Sequence, residues 1–159
     1  MAPSCPLFAR FVLFSHSLIR RSPAMSLPKR HLSVGDRATR RVQLSRAMVE
    51  RFAELSGDTN PVHMEPTSGE IHTVVHGALL NSLVSAVMGT ELPGPGCLVA
   101  RQTLEFPAVC LSGDLVEVAV WVMAVRKLIS TEFSVTSVNR GVAVMRGTAQ
   151  LVGRKPTTK

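Results

Sequence analysis

The segment Gly77–Thr90 narrows the fold more than any other part of the chain. Leu79, Leu80, Leu83, Val84, Ala86, Val87 and Met88 leave it almost no polar face. A helix apolar nearly all round has to be buried on most sides. Pro93-Gly94-Pro95-Gly96 ends it, and everything after that break reads as strand: Cys97–Phe106, Leu115–Arg126, Leu128–Val138 and Gly141–Gly153, with Val116, Val118, Val120 and Val122 as β-branched core positions. Asn139-Arg140-Gly141 suits a short hairpin turn, across which Phe133, Val135 and Val138 are expected to face Val142, Val144 and Met145. Consecutive strands with short connections make a mainly antiparallel sheet, and a sheet of that kind hides one apolar helix by curling round it.

Upstream, Gly35–Gln43 reads as a first strand. Ser45 is placed to cap a helix that starts at Arg46, carries Met48, Val49, Phe52, Ala53 and Leu55 at helical spacing, and stops at Gly57. Residues 58–75, with Pro61, Pro66 and Gly69, read as irregular. The whole is an α+β chain with the layout of a single hot-dog domain, a curled, mainly antiparallel sheet around a long buried central helix.

The charge balance divides the chain. Of 18 Lys and Arg, five (Arg10, Arg20, Arg21, Lys29 and Arg30) fall in residues 1–33, which contain no acid. The remaining 13 face 11 Asp and Glu, so the body is nearly neutral and offers no electrostatic footprint for nucleic acid. The Arg- and Ser-rich, acid-free segment 1–33 has the composition of a mitochondrial transit peptide, with a secretory signal as the rival reading of its apolar run Leu7–Phe14; the transit peptide sets the folded domain at 34–159 and its location in the matrix. No apolar run reaches the ~20 residues needed to span a bilayer. Cys5, Cys97 and Cys110 have no paired spacing, so neither a disulfide framework nor a zinc site is supported. With no Walker loop and no GxGxxG, no nucleotide cofactor or metal is expected.

The reactive groups crowd into Ser56-Gly57-Asp58-Thr59-Asn60-Pro61-Val62-His63, followed by His76-Gly77. Asn60-Pro61 bends the chain between a carboxylate and an imidazole, and Gly77 opens the apolar helix. An acid/base pair beside a helix N-terminus is equipment for polarising a carbonyl and moving a proton next to it. For Asn60, a turn-forming role and a hydrogen bond to water stand side by side.

Phe52–His63 resembles the hydratase motif of the R-specific enoyl-thioester hydratases, the MaoC-like family. Val75–Ser85 resembles the start of that family's central helix, and Leu92–Gly96, Phe106-Pro107 and Ser112-Gly113-Asp114 fit as well, so the likeness runs from about Gly35 to Val152. With segment 1–33 the chain is most similar to the mitochondrial branch of the family. The resemblance implies a hydro-lyase, an (R)-3-hydroxyacyl-thioester dehydratase reversible as a 2-enoyl-thioester hydratase in mitochondrial fatty acid synthesis. It implies Asp58 and His63 as the catalytic pair, Gly77 as the oxyanion donor, and Asn60, Ser85 and His76 in support. The substrate would be an acyl thioester of coenzyme A or acyl carrier protein, and the assembly a homodimer. Met64–Val75 is several residues shorter than the family's overhang, which puts the expected change on the wall of the acyl pocket. A hot-dog thioesterase and a catalytically weak scaffold are the alternatives.

Overall fold

A computed structural model describes residues 31–66 and 71–153. The elements run β1 (Arg37–Gln43), α1 (Arg46–Ser56), α2 (Pro61–Met64), α3 (Gly77–Thr90), β2 (Cys97–Glu105), β3 (Leu115–Val125), β4 (Ile129–Ser137) and β5 (Val142–Gly153). The strands form one sheet in the order β1-β3-β4-β5-β2, antiparallel at every step. α3 packs on one face of it, the hot-dog arrangement. The segment expected to be a transit peptide lies outside the described residues as far as residue 30.

Local chemistry accounts for the element bounds. Ser45 Oγ accepts from the Met48 N–H at the start of α1, and Gly57, at φ +77°, closes α1 by donating its N–H to the Ala53 carbonyl at 2.8 Å. α2 falls where the sequence reads as irregular. Its four residues are too few to show a period, but Asn60 Oδ1 caps the Val62 N–H at 3.4 Å, and Pro61 at the first helical position gives up no donor that the helix needs.

α3 buries Leu79, Leu80, Val84, Val87 and Met88 against Val116, Val118 and Val120 of β3, Phe133 and Val135 of β4, and Val144 and Met145 of β5. Each such side chain contributes about 1.5–3 kcal/mol, enough to fix the helix to the sheet. Burial on most sides leaves one flank open: Ala78, Ser82, Ser85 and Gly89 stand exposed there. The large side chains turn to the sheet, and the small ones, spaced four, three and four apart, form a single open stripe.

The β4–β5 register is corrected. Val135 does oppose Met145, but Phe133 opposes Gly147, Val138 lies beyond the last pair Ser137–Val142, and the register shifts between Val135 and Thr136, which leaves Val144 without an opposite partner. Gly147 is needed there: a Cβ on it would stand 2.7 Å from the Phe133 Cζ and 2.1 Å from the Thr103 carbonyl oxygen.

The stretch ahead of α3 is stitched to the β2–β3 connection. Ser112 N–H donates to the Thr73 carbonyl, the Thr73 N–H to Ser112 Oγ, and the Val75 N–H to the Cys110 carbonyl. That connection is pinned in turn by buried Asp114, whose carboxylate accepts from Arg140 at 2.6 and 3.2 Å and from the Leu111 N–H at 3.1 Å. Burial pushes the Asp114 carboxyl up, but the Arg140 guanidinium and the Leu111 amide outweigh it and hold the group below the usual carboxylate range. Burial, with the Asp114 charge beside it, pushes the Cys110 thiol up to about 12, so it stays protonated and inert.

Candidate active site

The Asp58 loop is held by its own side chains. Ser56 Oγ donates to the Phe52 carbonyl and accepts from the Asp58 N–H, and Asp58 Oδ1 accepts from the Asn60 N–H at 3.3 Å. Asn60 therefore serves the loop as its turn former and as the cap of α2. That one-turn helix presents His63, whose Nδ1 stands 2.8 Å from the Val74 carbonyl oxygen. A carbonyl can only accept, so Nδ1 carries the hydrogen, and in the neutral ring Nε2 is bare. This bare nitrogen lies 3.8 Å from Asp58 Oδ2. The imidazole is 13% exposed and the carboxylate 52%, so His63 is sheltered from solvent and Asp58 is not.

His76 binds this arrangement to α3. It occupies the N-cap position without a side-chain cap bond; its backbone carbonyl accepts from Leu79 and Leu80. Its buried ring turns back instead. Nε2–H donates to the Asp58 carbonyl at 3.0 Å, and the ring stacks on His63 with centroids 3.8 Å apart and planes 26° from parallel. Phe52 flanks it on another side at 5.1 Å. His76 Nδ1 is buried without a hydrogen-bond partner among the described residues.

Gly77, next in sequence, is the first helical residue, so its N–H has no carbonyl one turn earlier in the helix to receive it. It lines a cavity of about 360 Å³ together with His63, Leu80, Phe106, Cys110 and Val144. The His63 ring and the Gly77 N–H thus bring polar groups to a largely apolar space, the form of a small-molecule site. A larger depression of about 460 Å³ lies on the other sheet face, around Trp121, Glu132 and Arg146, and contains no such pair. Arg37 sits over the Trp121 ring there, 5.2 Å from its centroid.

The structure therefore brings together Asp58, His63, His76 and Gly77, and places Asn60 behind them. It does not bring in Ser85. That residue is on the open flank of α3 and makes no hydrogen bond to Asp58 or His63 among the described residues. His72 packs on Gly113, where a Cβ would stand 3.0 Å from its Cε1. Asp58, His63 and His76 offer ligand atoms within 4.8 Å of one another. The two imidazoles are stacked, however, and ring lone pairs lie in the ring planes, so they do not converge on one cation and no metal chemistry is assigned to them.

Sequence reasoning misses two participants. The Val74 carbonyl fixes the His63 tautomer, and a backbone atom leaves no residue-type signal. Phe106 had a signal in strand alternation: it shares a face with Leu104, which packs on the core.

The profile described as "MaoC like domain" matches residues 32–143. The chain belongs to the MaoC-like family. Among curated relatives, it is 39% identical over 100 residues to the (R)-specific enoyl-CoA hydratase of Aeromonas caviae, covering 60% of this chain and 75% of that one. It is 40% identical over 93 residues to the 3-hydroxybutyryl-CoA dehydratase of Methylorubrum extorquens, where the match spans 56% of this chain and only 59% of the relative. The mitochondrial 3-hydroxyacyl-[acyl-carrier-protein] dehydratase of Arabidopsis thaliana is 29% identical over 125 residues, 76% of this chain and 74% of that protein. The solved (R)-hydratase of A. caviae, described as involved in PHA biosynthesis, superposes with a TM-score of 0.72 at 32% identity, over 77% of this MaoC-like chain and 97% of that structure. These relatives are named as hydratases and dehydratases, enzymes that add or remove water.

Proposed function

We propose that this MaoC-like protein is a hydro-lyase, an (R)-3-hydroxyacyl-thioester dehydratase that also runs as a 2-enoyl-thioester hydratase. The observation that carries the reading is the bare His63 Nε2 set 3.8 Å from Asp58 Oδ2, with His63 on the wall of the cavity that Gly77 also lines. In hydration, water held between the two groups loses a proton to the pair, and its oxygen bonds to C3. The electrons of the C2=C3 bond shift toward the carbonyl oxygen, where the Gly77 N–H and the positive end of α3 receive the charge. C2 then takes a proton back from the pair on the same face, so the addition is syn. Dehydration retraces these steps, with the C2 proton removed and the C3 hydroxyl leaving as water. His76 holds the pair and the oxyanion donor in one frame.

The thioester carrier is coenzyme A or acyl carrier protein, and both present the same carbonyl to Gly77. We place the protein in the mitochondrial matrix with segment 1–33 as its transit peptide and 34–159 as the catalytic domain, acting in fatty acid synthesis. The composition of that segment and the mitochondrial relative support this. We further propose a homodimer. β2 is a sheet edge with Leu98 and Val99 exposed, and the small-residue flank of α3, Ser85 included, is open.

Crotonyl-CoA hydration by the purified protein, followed as loss of enoyl-thioester absorbance, tests the activity. Release of free coenzyme A without hydration would instead establish the thioesterase reading. A reporter fused to residues 1–33 tests the location, and one that stays in the cytosol removes it.

A further inference from the structure

We infer that Phe106 determines substrate specificity at C2, selecting straight-chain over 2-branched enoyl thioesters. The inference rests on the hydratase reading above and adds to it a substrate class.

Phe106 follows the last residue of β2, and alternation turns it to the α3 side of the sheet. Its ring does not sink into the core; it remains 50% exposed at the cavity. The ring tip lies against Gly77: a Cβ at position 77 would stand 2.6 Å from Phe106 Cζ and 2.9 Å from Cε1. Gly77 needs no positive φ. It is glycine because this ring occupies the space that a side chain would take. Phe106 is therefore the wall immediately beside the proposed oxyanion donor.

The position has a direct chemical consequence. C2 is bonded to the carbonyl carbon, so whatever stands next to the bound carbonyl also stands next to C2. A hydrogen on C2 fits beside a ring edge, but a methyl group must displace it. Asp58 and His63 have to reach both C2 and C3, so a branched substrate cannot back away without losing the pair. One methyl group more or less in an apolar pocket changes kcat/KM by about 10- to 200-fold, and a 2-methyl group lies within that range here.

The test compares crotonyl-CoA with 2-methylcrotonyl-CoA in the full chain and in its Phe106→Leu and Phe106→Ala variants. The wild type is expected to prefer crotonyl-CoA by at least about 10-fold in kcat/KM. Phe106→Ala should cut that ratio by about 10-fold, and Phe106→Leu by less. Equal rates on the two substrates in the wild type, or an unchanged ratio in both variants, would overturn the inference. Phe106→Leu keeps the test decisive if the alanine variant fails to fold. The dissociation constants of the saturated butyryl-CoA and 2-methylbutyryl-CoA separate the two readings. If the wild type hydrates nothing but binds the straight chain more tightly, and Phe106→Leu narrows the gap, the hydratase reading fails and the role of Phe106 stands. Equal binding of the two thioesters by the wild type removes the role of Phe106, whatever the activity.

Discussion

His76 presents a choice between stability and geometry that two substitutions separate. Its ring is buried, yet Nδ1 has no partner among the described residues, and an unpaired buried polar atom costs about 1–3 kcal/mol. An apolar ring would avoid that cost, so the imidazole must be kept for what its other atoms do. Nε2–H ties the Asp58 carbonyl, and the ring face holds His63. His76→Phe retains a ring and loses the tie. Relief of the unpaired nitrogen, about 1–3 kcal/mol, is offset by the lost hydrogen bond, about 1 kcal/mol, and by crowding from the larger ring, about 1–3 kcal/mol. Its unfolding free energy should therefore stay within about 1 kcal/mol of the wild type. The lost tie frees the Asp58 backbone by about the same 1 kcal/mol, which corresponds to roughly a fivefold fall in kcat.

His76→Gln retains a donor and loses the stack, worth about 0.5–1.5 kcal/mol, so kcat should fall about 2- to 10-fold. KM should hold in both variants, because neither substitution touches the acyl pocket. Urea unfolding together with crotonyl-CoA kinetics reads all three quantities. Full kcat in both variants at unchanged stability would refute the positioning role, as would losses of activity that merely track losses of stability.

Asp58→Asn and His63→Gln should each cost about 100-fold or more in kcat. The double variant should be little slower than either single one, since both groups serve the same water; multiplicative losses in steady-state kinetics would show two independent roles. Arg140→Gln leaves the buried Asp114 carboxylate without its guanidinium and should destabilise the domain by about 3 kcal/mol in denaturant melts. The Asp114 carboxyl is held below its ordinary value when folded, so its contribution is complete above the unfolded value of about 3.9 and fades as pH falls through the lower folded value. Asp114→Asn should accordingly flatten the acid limb of stability against pH, and a limb identical to the wild type would contradict this. Lengthening the segment Met64–Val75 to the usual family overhang should tighten binding of long acyl chains and leave crotonyl-CoA hydration nearly unchanged, as measured by KM across acyl lengths. A change on crotonyl-CoA as large as on long chains would place the effect in the catalytic pair instead.

Sequence patterns hold the elements better than they hold the contacts between them. Gly77–Thr90 is a helix over the bounds its apolar content suggests, and the four strands behind it differ from expectation by a residue or two at their ends. These features depend on period, capping and punctuation, all of which are local. Asp58 and His63 are legible for the same reason, since five residues and one Asn-Pro bend bring them together. What escaped requires the chain to return on itself. His76 comes back across thirteen residues to stack on His63, and Phe106 closes on Gly77 from the far end of β2. The open flank of α3 escaped for a different reason: Ala and Gly count as apolar, yet their small side chains gain little from burial. In this chain, small residues let the backbone approach: Gly147 admits Phe133, Gly77 admits Phe106, and Gly113 admits His72. At Gly147 the Thr103 carbonyl stands closer still, and at Gly113 a φ of +95° also calls for glycine, but at Gly77 the aromatic neighbour alone explains the residue and also forms the wall of the site.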